Sequence, residues 1–421
     1  MARIVLATIG SYGDLHPYLA LGLGLQARGH RVTIATSGLY HDKLLAAGLD
    51  YAPLRPDISW EDKELVARLM HPKRGSEEVI RHWLMPRLRQ TFEDLCAAVV
   101  GADLLVSADI VYAAPIVAAV TGVPWATSTV APLSLFSAYD PPVFPVWQGL
   151  ADLRVLGPRA MRPLMALARR LTEPWGAAAR ALRRELGLPP GPHPIMAAQH
   201  SPALDLALFS PVLGAPQPDW PPAVKQTGFL WYDRHEHDQG LAPELAAWLA
   251  AGPPPVCFTL GSAAVFAADD FYLEAAAAAQ RAGLRAVLLV GLDPHPKLVD
   301  SVGADGFLAS YAPFSELFPH CAAVVHQGGV GTTGQVLRAG RPALIVPRAH
   351  DQFDNGARVA RLGAGRVLPR ARFRAARVAA ELRRLLDEPG YSVAAAEAGR
   401  RVAAEDGVGA AWAAVEGMLA G

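Results

Sequence analysis

The sequence is poor in cysteine, poor in lysine and without net charge. Its 421 residues hold three cysteines. Cys96, Cys257 and Cys321 lie too far apart for any CxxC or Cys/His ligand spacing. A disulfide framework and a zinc module are therefore not indicated, and the odd number suits a reducing compartment. Lysine occurs only at 43, 63, 73, 225 and 297, so the basic side chains are mostly arginine. Lys+Arg and Asp+Glu balance at 39 each. No general pull towards nucleic acid follows, and any anion site must be local. Long uninterrupted apolar runs are also missing. Residues 110–139 carry no charge and exceed a membrane span, but Pro115, Gly122, Pro124 and Pro132 interrupt them. The pattern predicts a buried helix from Ala113 to Thr121 and a strand at Trp125–Thr129. The apolar run after Met1 is too short for a signal peptide and reads as a first strand, so a cytoplasmic location is expected.

What is present is an alternation of strands and helices. A 52% apolar composition marks a globular chain, and its length suits two domains of about 200 residues each. Ile4–Thr8 reads as a strand, Leu15–Arg28 as a helix and Arg31–Thr36 as the next strand. Such a unit favours a parallel sheet covered by helices. Asp103–Ser107 is a further strand. The stretch from Pro141 to Pro194 breaks the rhythm with many Pro and Arg and with helices at Met161–Leu171 and Ala177–Leu186. After a Pro- and Gly-rich linker the alternation resumes, with strands at Val256–Leu260, Ala286–Val290, Gly306–Ala309, Ala323–His326 and Ala343–Pro347. The expected architecture is α/β, with two doubly wound Rossmann-like domains at 1–215 and 231–400. Residues 216–230 read as the linker, and a last helix at 401–421 is expected to return to the first domain. Ligands sit at the carboxyl ends of such strands, so both domains are expected to line one cleft.

The most informative segment is His326-Gln-Gly-Gly-Val-Gly-Thr-Thr-Gly, between an apolar strand and a helix. Its glycines let the backbone approach a ligand, and the exposed N–H groups of a helix start favour phosphate. Thr332, Thr333 and His326 add donors. A tight turn with nothing bound is the alternative, but glycines this dense cost backbone entropy. Gly329-x-Gly331-x-x-Gly334 also spells a dinucleotide fingerprint, with Asp351 near the expected acidic position. An NAD-dependent dehydrogenase is therefore the rival reading, and a non-catalytic sugar-nucleotide binder is another. Asp351-Gln352 suits sugar hydroxyls or, equally, an ordinary helix cap. In the first half, Gly10-Ser-Tyr-Gly-Asp-Leu-His-Pro joins strand to helix. Asp14 is a helix cap or a base for an acceptor hydroxyl, and His16 is a surface residue or the rival base. Arginines crowd residues 154–184 amid apolar positions, as in a solvated helix face or a surface for a membrane or anionic amphiphile.

Together these pieces resemble the nucleotide-sugar glycosyltransferases of GT-B architecture, over nearly the whole chain. Ala27-Arg-Gly-His-Arg-Val-Thr, Phe258-Thr-Leu-Gly-Ser, Tyr311-Ala-Pro and His350-Asp-Gln-Phe-Asp-Asn carry the likeness with the two glycine-rich loops. Pro-Asp-Trp-Pro at 218–221 and Thr227-Gly228-Phe229 point to the branch of glycolipid rhamnosyltransferase catalytic subunits and sterol glucosyltransferases. The resemblance implies an inverting transfer of glucose or rhamnose from a UDP- or dTDP-sugar to a small hydrophobic hydroxylated acceptor. It implies no metal and no cofactor. Tyr311 would stack on the base and Ala312 would meet its edge. Gly261, Ser262, His326, Gly329, Gly331, Thr332 and Thr333 would hold the diphosphate, and Asp351 and Gln352 the donor sugar. Asp14 would be the base, with Ser11, Tyr12, Asp109 and Phe136 about the acceptor. The branch also implies a partner subunit and peripheral contact with the inner face of a membrane. Two departures stand out. Many relatives place a ribose-binding Glu where this chain has Gly334, and the Asp that orients a catalytic His elsewhere is here only approximated by Asp109, one residue out of register.

Overall fold

The protein, a computed structural model, is described over residues 1–60, 62–146, 148–232, 240–291 and 296–420. The chain divides into two compact units, one of Met1–Ser59, Lys73–Tyr232 and Glu405–Gly421, the other of Trp60–Pro72 and Asp233–Ala404.

Among its described residues, the first unit holds a seven-stranded parallel sheet. Its strands are β1 (Arg3–Ala7), β2 (Arg31–Thr36), β3 (Asp50–Pro53), β4 (Leu104–Ala108), β5 (Trp125–Thr129), β6 (Asp205–Ala207) and β7 (Val224–Gln226). They run in the order β3-β2-β1-β4-β5-β6-β7. Ile4, Val5 and Leu6 of β1 and Leu104, Leu105 and Val106 of β4 are fully buried. Continuous apolar runs of this kind suit parallel strands covered on both faces. Helix α1 (Tyr12–Ala27) follows β1 and buries Leu15, Tyr18, Leu19, Leu21 and Leu25. The uncharged stretch 110–139 splits into a helix at Ala114–Thr121, ended by left-handed Gly122, and strand β5. Among the described residues no helix is long and apolar enough to cross a membrane. The last helix, Gly407–Ala420, lies along α1, where Arg28 pairs with Glu416 at 2.6 Å and covers the Trp412 ring.

The second unit repeats the plan with β8 (Val256–Thr259), β9 (Ala286–Leu289), β10 (Gly306–Ala309), β11 (Ala323–His326), β12 (Ala343–Ile345) and β13 (Gly365–Val367). Their order is β10-β9-β8-β11-β12-β13, all parallel. Phe271, at the start of helix Phe271–Ala282, stacks on Phe373 at 4.6 Å in its core. In each sheet the strand order reverses beside the first strand, between β1 and β4 and between β8 and β11. A doubly wound sheet opens its ligand crevice at such a switch point.

Two boundaries differ from the sequence reading. Residues 216–230 are not a bare linker, because β7 lies within them and pairs with β6, Asp205 opposite Val224. A three-residue strand shows no periodicity to read. Residues 60–72 leave the first unit's fold. Their helix, Lys63–Leu69, buries Val66 and Leu69, Met70 packs on the second unit's core, and Trp60 stacks on Phe266. The backbone of Leu69 also takes a hydrogen bond from the ring of His350, whose pKa burial pushes down to about 4.

Candidate functional site

In the first unit the chain turns sharply after β1. Ser11 is the N-cap of α1, and Asp14 at its third position folds back to complete a capping box. Oδ2 of Asp14 accepts from the Ser11 backbone N–H at 2.8 Å and from its hydroxyl at 3.2 Å. Gly10 makes room for this: at φ +138, a Cβ there would lie 2.3 Å from the same oxygen. Desolvation pushes the Asp14 pKa from 3.8 up to about 6, against the hydrogen bonds from Ser11 and with repulsion from Asp109 adding to the rise. Asp109 follows β4, the strand beside β1. Burial raises its pKa too, against a hydrogen bond from the Ser134 side chain and the charge of His200. Asp14 is therefore both a helix cap and a carboxylate poised near neutrality. His16, one turn into α1, has its ring between those of Tyr12 and Tyr232, each 5.3 Å away. Tyr12 is partly exposed. Phe136 follows β5 with φ +46, a left-handed conformation uncommon for a bulky residue.

In the second unit β11 ends at His326, which is fully buried. Desolvation pushes its pKa down to about 3, so the ring is neutral. Its Nδ1 accepts from the Gly328 backbone N–H at 3.1 Å, which places the proton on Nε2. That Nε2 is buried without a partner among the described residues, as are the Thr333 hydroxyl and the side-chain oxygens of Gln327 and Asn355. Buried polar groups left unmatched are costly, and a cluster of them at one loop is a candidate position for a ligand or ordered water. Helix Val330–Arg338 starts at this loop with Gly329 as its N-cap, and Thr332 and Thr333 lie in its first turn. Its first N–H groups have no intrahelical acceptors, so donors converge where a diphosphate would lie. Gly328, at φ +94, lets helix Gln352–Arg361 approach, since a Cβ there would sit 2.9 Å from the Gln352 carbonyl oxygen.

Asp351, Gln352, Gly261, Ser262, Tyr311 and Ala312, the other candidate residues for the donor, belong to the same unit. Asp351 is the N-cap of helix Gln352–Arg361 but makes no side-chain cap. Its Oδ2 instead accepts from Asn355 at 2.7 Å, and Asn355 also donates to the Gly328 carbonyl at 2.9 Å. The Gln352 side-chain oxygen accepts from the backbone N–H groups of Arg348 and Ala349. Gly261 and Ser262 follow β8, next to β11 in the sheet. Tyr311, after β10, is 53% exposed, while Ala312 is buried. Asp14 and Asp109 thus lie at the first switch point, and Gly261, Ser262 and the His326 loop at the second, whereas Phe136 follows β5, Asp351 and Gln352 follow β12, and Tyr311 and Ala312 follow the edge strand β10. Among the described residues no group of three His, Cys, Asp or Glu side chains is arranged to hold a metal ion.

Sequence reasoning assigned no role to Gln327, Asn355 or the pair His200–Asp205. Asn355 was accessible, since it stands four residues after Asp351 and so shares its helix face. Gln327 lies inside the loop motif. His200 and Asp205 carry no local signal, because only the placement of β6 beside β5 brings them near Asp109.

Two doubly wound parallel sheets, with a phosphate-type loop at the switch point of the second, define a GT-B transferase. The comparisons with known proteins agree. Residues 4–123 match the glycosyltransferase family 28 N-terminal domain, and residues 286–407 the erythromycin biosynthesis protein CIII-like C-terminal domain. The chain is 34% identical to O-mycaminosyltylonolide 6-deoxyallosyltransferase of Streptomyces fradiae, over 96% of this chain and 95% of that one. It is 29% identical to vancomycin aglycone glucosyltransferase of Amycolatopsis orientalis, over 86% and 85%. A sterol 3-beta-glucosyltransferase of Arabidopsis thaliana is 28% identical, over 97% of this chain and 67% of that one. The solved structure of spinosyn forosaminyltransferase shares the fold, with a TM-score of 0.72 at 19% identity over the whole of both chains. The chain belongs to this glycosyltransferase family and is an enzyme of that kind. The glycine pattern that also fits a dehydrogenase, Gly329-x-Gly331-x-x-Gly334, lies within the matched C-terminal domain. It follows β11, whereas a dinucleotide fingerprint occupies the first strand-to-helix turn of its sheet.

Proposed function

We propose that this enzyme transfers a hexose, with inversion and without a metal ion, from a nucleoside diphosphate to a hydroxyl of a hydrophobic natural-product acceptor. The observation that carries the reading is the neutral, buried His326, whose Nε2–H lacks a partner at the head of helix Val330–Arg338. Such a donor stabilises the charge that grows on a leaving diphosphate. Asp14 takes the proton of the acceptor hydroxyl as that oxygen attacks the anomeric carbon, and the carbon–diphosphate bond breaks on the opposite face. A pKa of about 6 suits this work, because the group is ionised at neutral pH yet basic enough to accept the proton. The enclosed ring of His16 is less suited. Asp351, Asn355 and the NH2 group of Gln352 hold the donor sugar hydroxyls.

For the nucleotide we assign thymidine diphosphate. Gly334 supplies no carboxylate to a ribose, and a deoxyribose has no 2′-hydroxyl to leave unsatisfied. The relative of highest identity among those described acts, by its name, on a tylonolide and transfers a deoxyhexose, which supports a dTDP-deoxyhexose and a macrocyclic acceptor. Exposed Val155, Leu156, Leu167 and Leu171, set among the arginines of 154–170, support an apolar acceptor. Calorimetry with dTDP, UDP and NAD, followed by mass spectrometry on a donor and acceptor panel with EDTA present, tests the reading. Tighter binding of dTDP than UDP and turnover in EDTA are expected. Binding of NAD alone, or a strict need for magnesium or manganese, would overturn it.

A further inference from the structure

The Pro-Asp-Trp-Pro segment at 218–221 has no part in the chemistry above, yet it reaches the loop after β5. Asp219 accepts from the Ser137 hydroxyl at 2.5 Å and from the Ala138 backbone N–H at 2.7 Å. Ser137 in turn accepts from the backbone N–H groups of Tyr139 and Asp140 at 3.0 and 3.2 Å. Trp220 anchors the segment edge-on against the buried Phe209. On the other side of Phe136, the carbonyl of Ser134 accepts from Nε2 of His200 at 3.2 Å. His200 is held by a 2.6 Å bond from its Nδ1 to Asp205, and both side chains are buried. Burial alone would lower the His200 pKa, but Asp205, with Asp109 near, holds it above the ordinary value.

Phe136 thus sits between two fixed points, two residues after one and one before the other. It takes the left-handed conformation, which a side chain of its size adopts only where its surroundings over-determine it. We propose that His200 and Asp219 are positioning residues that clamp the loop and present the Phe136 ring as a wall against an apolar face of the acceptor, beside the hydroxyl that reacts. This deepens the acceptor reading above and rests on it. The clamp acts on acceptor recognition and leaves the donor untouched.

Steady-state kinetics test the clamp, with an acceptor that the wild-type protein glycosylates. Asp219 is exposed, so Asp219→Asn leaves the core intact, and Ser137→Ala removes the same bond from the other side. Each is expected to raise the acceptor KM roughly three- to tenfold with the donor KM unchanged. Phe136→Ala raises the acceptor KM as well, and adding Asp219→Asn to it changes nothing further, because the two act on one contact. An unmoved acceptor KM, an equal rise in donor KM, or effects that add would each overturn the clamp. Absence of turnover by the wild type across the panel would overturn the glycosyl-transfer reading itself, and the clamp with it.

Discussion

The loops at the two switch points face the same force and answer it differently. In the first unit, desolvation lifts Asp14 from 3.8 to about 6. In the second, it drives His326 from 6.5 to about 3. Burial disfavours charge in both cases. The carboxylate lands near neutral pH because Ser11 donates two hydrogen bonds that oppose the rise. The imidazole has no such support, since the bond it accepts from Gly328 uses the Nδ1 lone pair, which exists only in the neutral ring. One loop therefore carries a group that changes protonation in the working range, and the other a fixed neutral donor. A base must do the first, and a cradle for a leaving diphosphate needs only the second.

The sharpest way to break this contrast is to remove the titrating member. Asp14→Asn is expected to lower kcat by roughly 10²–10⁴-fold while nucleotide binding persists, and His16→Ala to do less. The reverse order in two folded variants would move the base to His16. His326→Ala comes next. It should lower kcat by roughly 10²–10³-fold, as for loss of one preorganised donor, and weaken dTDP binding in calorimetry. Because the ring is neutral, that loss should not vary between about pH 5 and about pH 8. A strong pH dependence would mean that His326 acts as a cation.

How far this contrast was legible beforehand depends on whether the parts lie together in sequence. β2, β5, β10 and β11 match their expected bounds; β10 and β11 are short apolar runs, and Gly29-His30 and Pro124 mark where β2 and β5 begin. β3 and β7 were missed because Asp-Tyr-Ala-Pro and Val-Lys-Gln are short and mixed in polarity. The donor loop was readable because its glycines, threonines and histidine are contiguous, and a strand-to-helix turn allows few geometries. The first unit's electrostatics were not. Asp109, His200 and Asp205 influence one another only because β4, β5 and β6 are neighbours, and no local pattern encodes that order. The protonation of His326 was equally hidden, since it follows from complete burial at a strand end.

A smaller effect separates the loops by geometry. Gly328→Ala should destabilise the second unit, because φ +94 disfavours any side chain and the new Cβ would press on the Gln352 carbonyl. The left-handed conformation alone costs about 1–2 kcal/mol, visible as a lower melting temperature. Nucleotide binding should weaken as well, because Gly328 seats both Asn355 and His326. An unshifted melting temperature would show that the loop relaxes without cost.

A last effect is on stability, and its sign is fixed by the direction of the Asp14 shift. The folded-state pKa of about 6 lies above the ordinary 3.8. A carboxylate raised in this way contributes stability that is fully present below pH 3.8 and is lost as pH rises through 6. Asp14→Asn carries no such term. Relative to that variant the wild type should therefore lose stability as pH rises from about 3.8 to about 6, and the difference should level off above that. Activity should run the other way. The base works only when ionised, so kcat/KM should rise through a single step near pH 6. The ionisation that makes Asp14 a base is the one that strains the fold around it. Melting temperatures of both proteins across that range, set beside the wild-type pH–rate profile, give the check. A constant difference in melting temperature would show that Asp14 does not titrate in this window, and the rate step, wherever it fell, would then belong to another group.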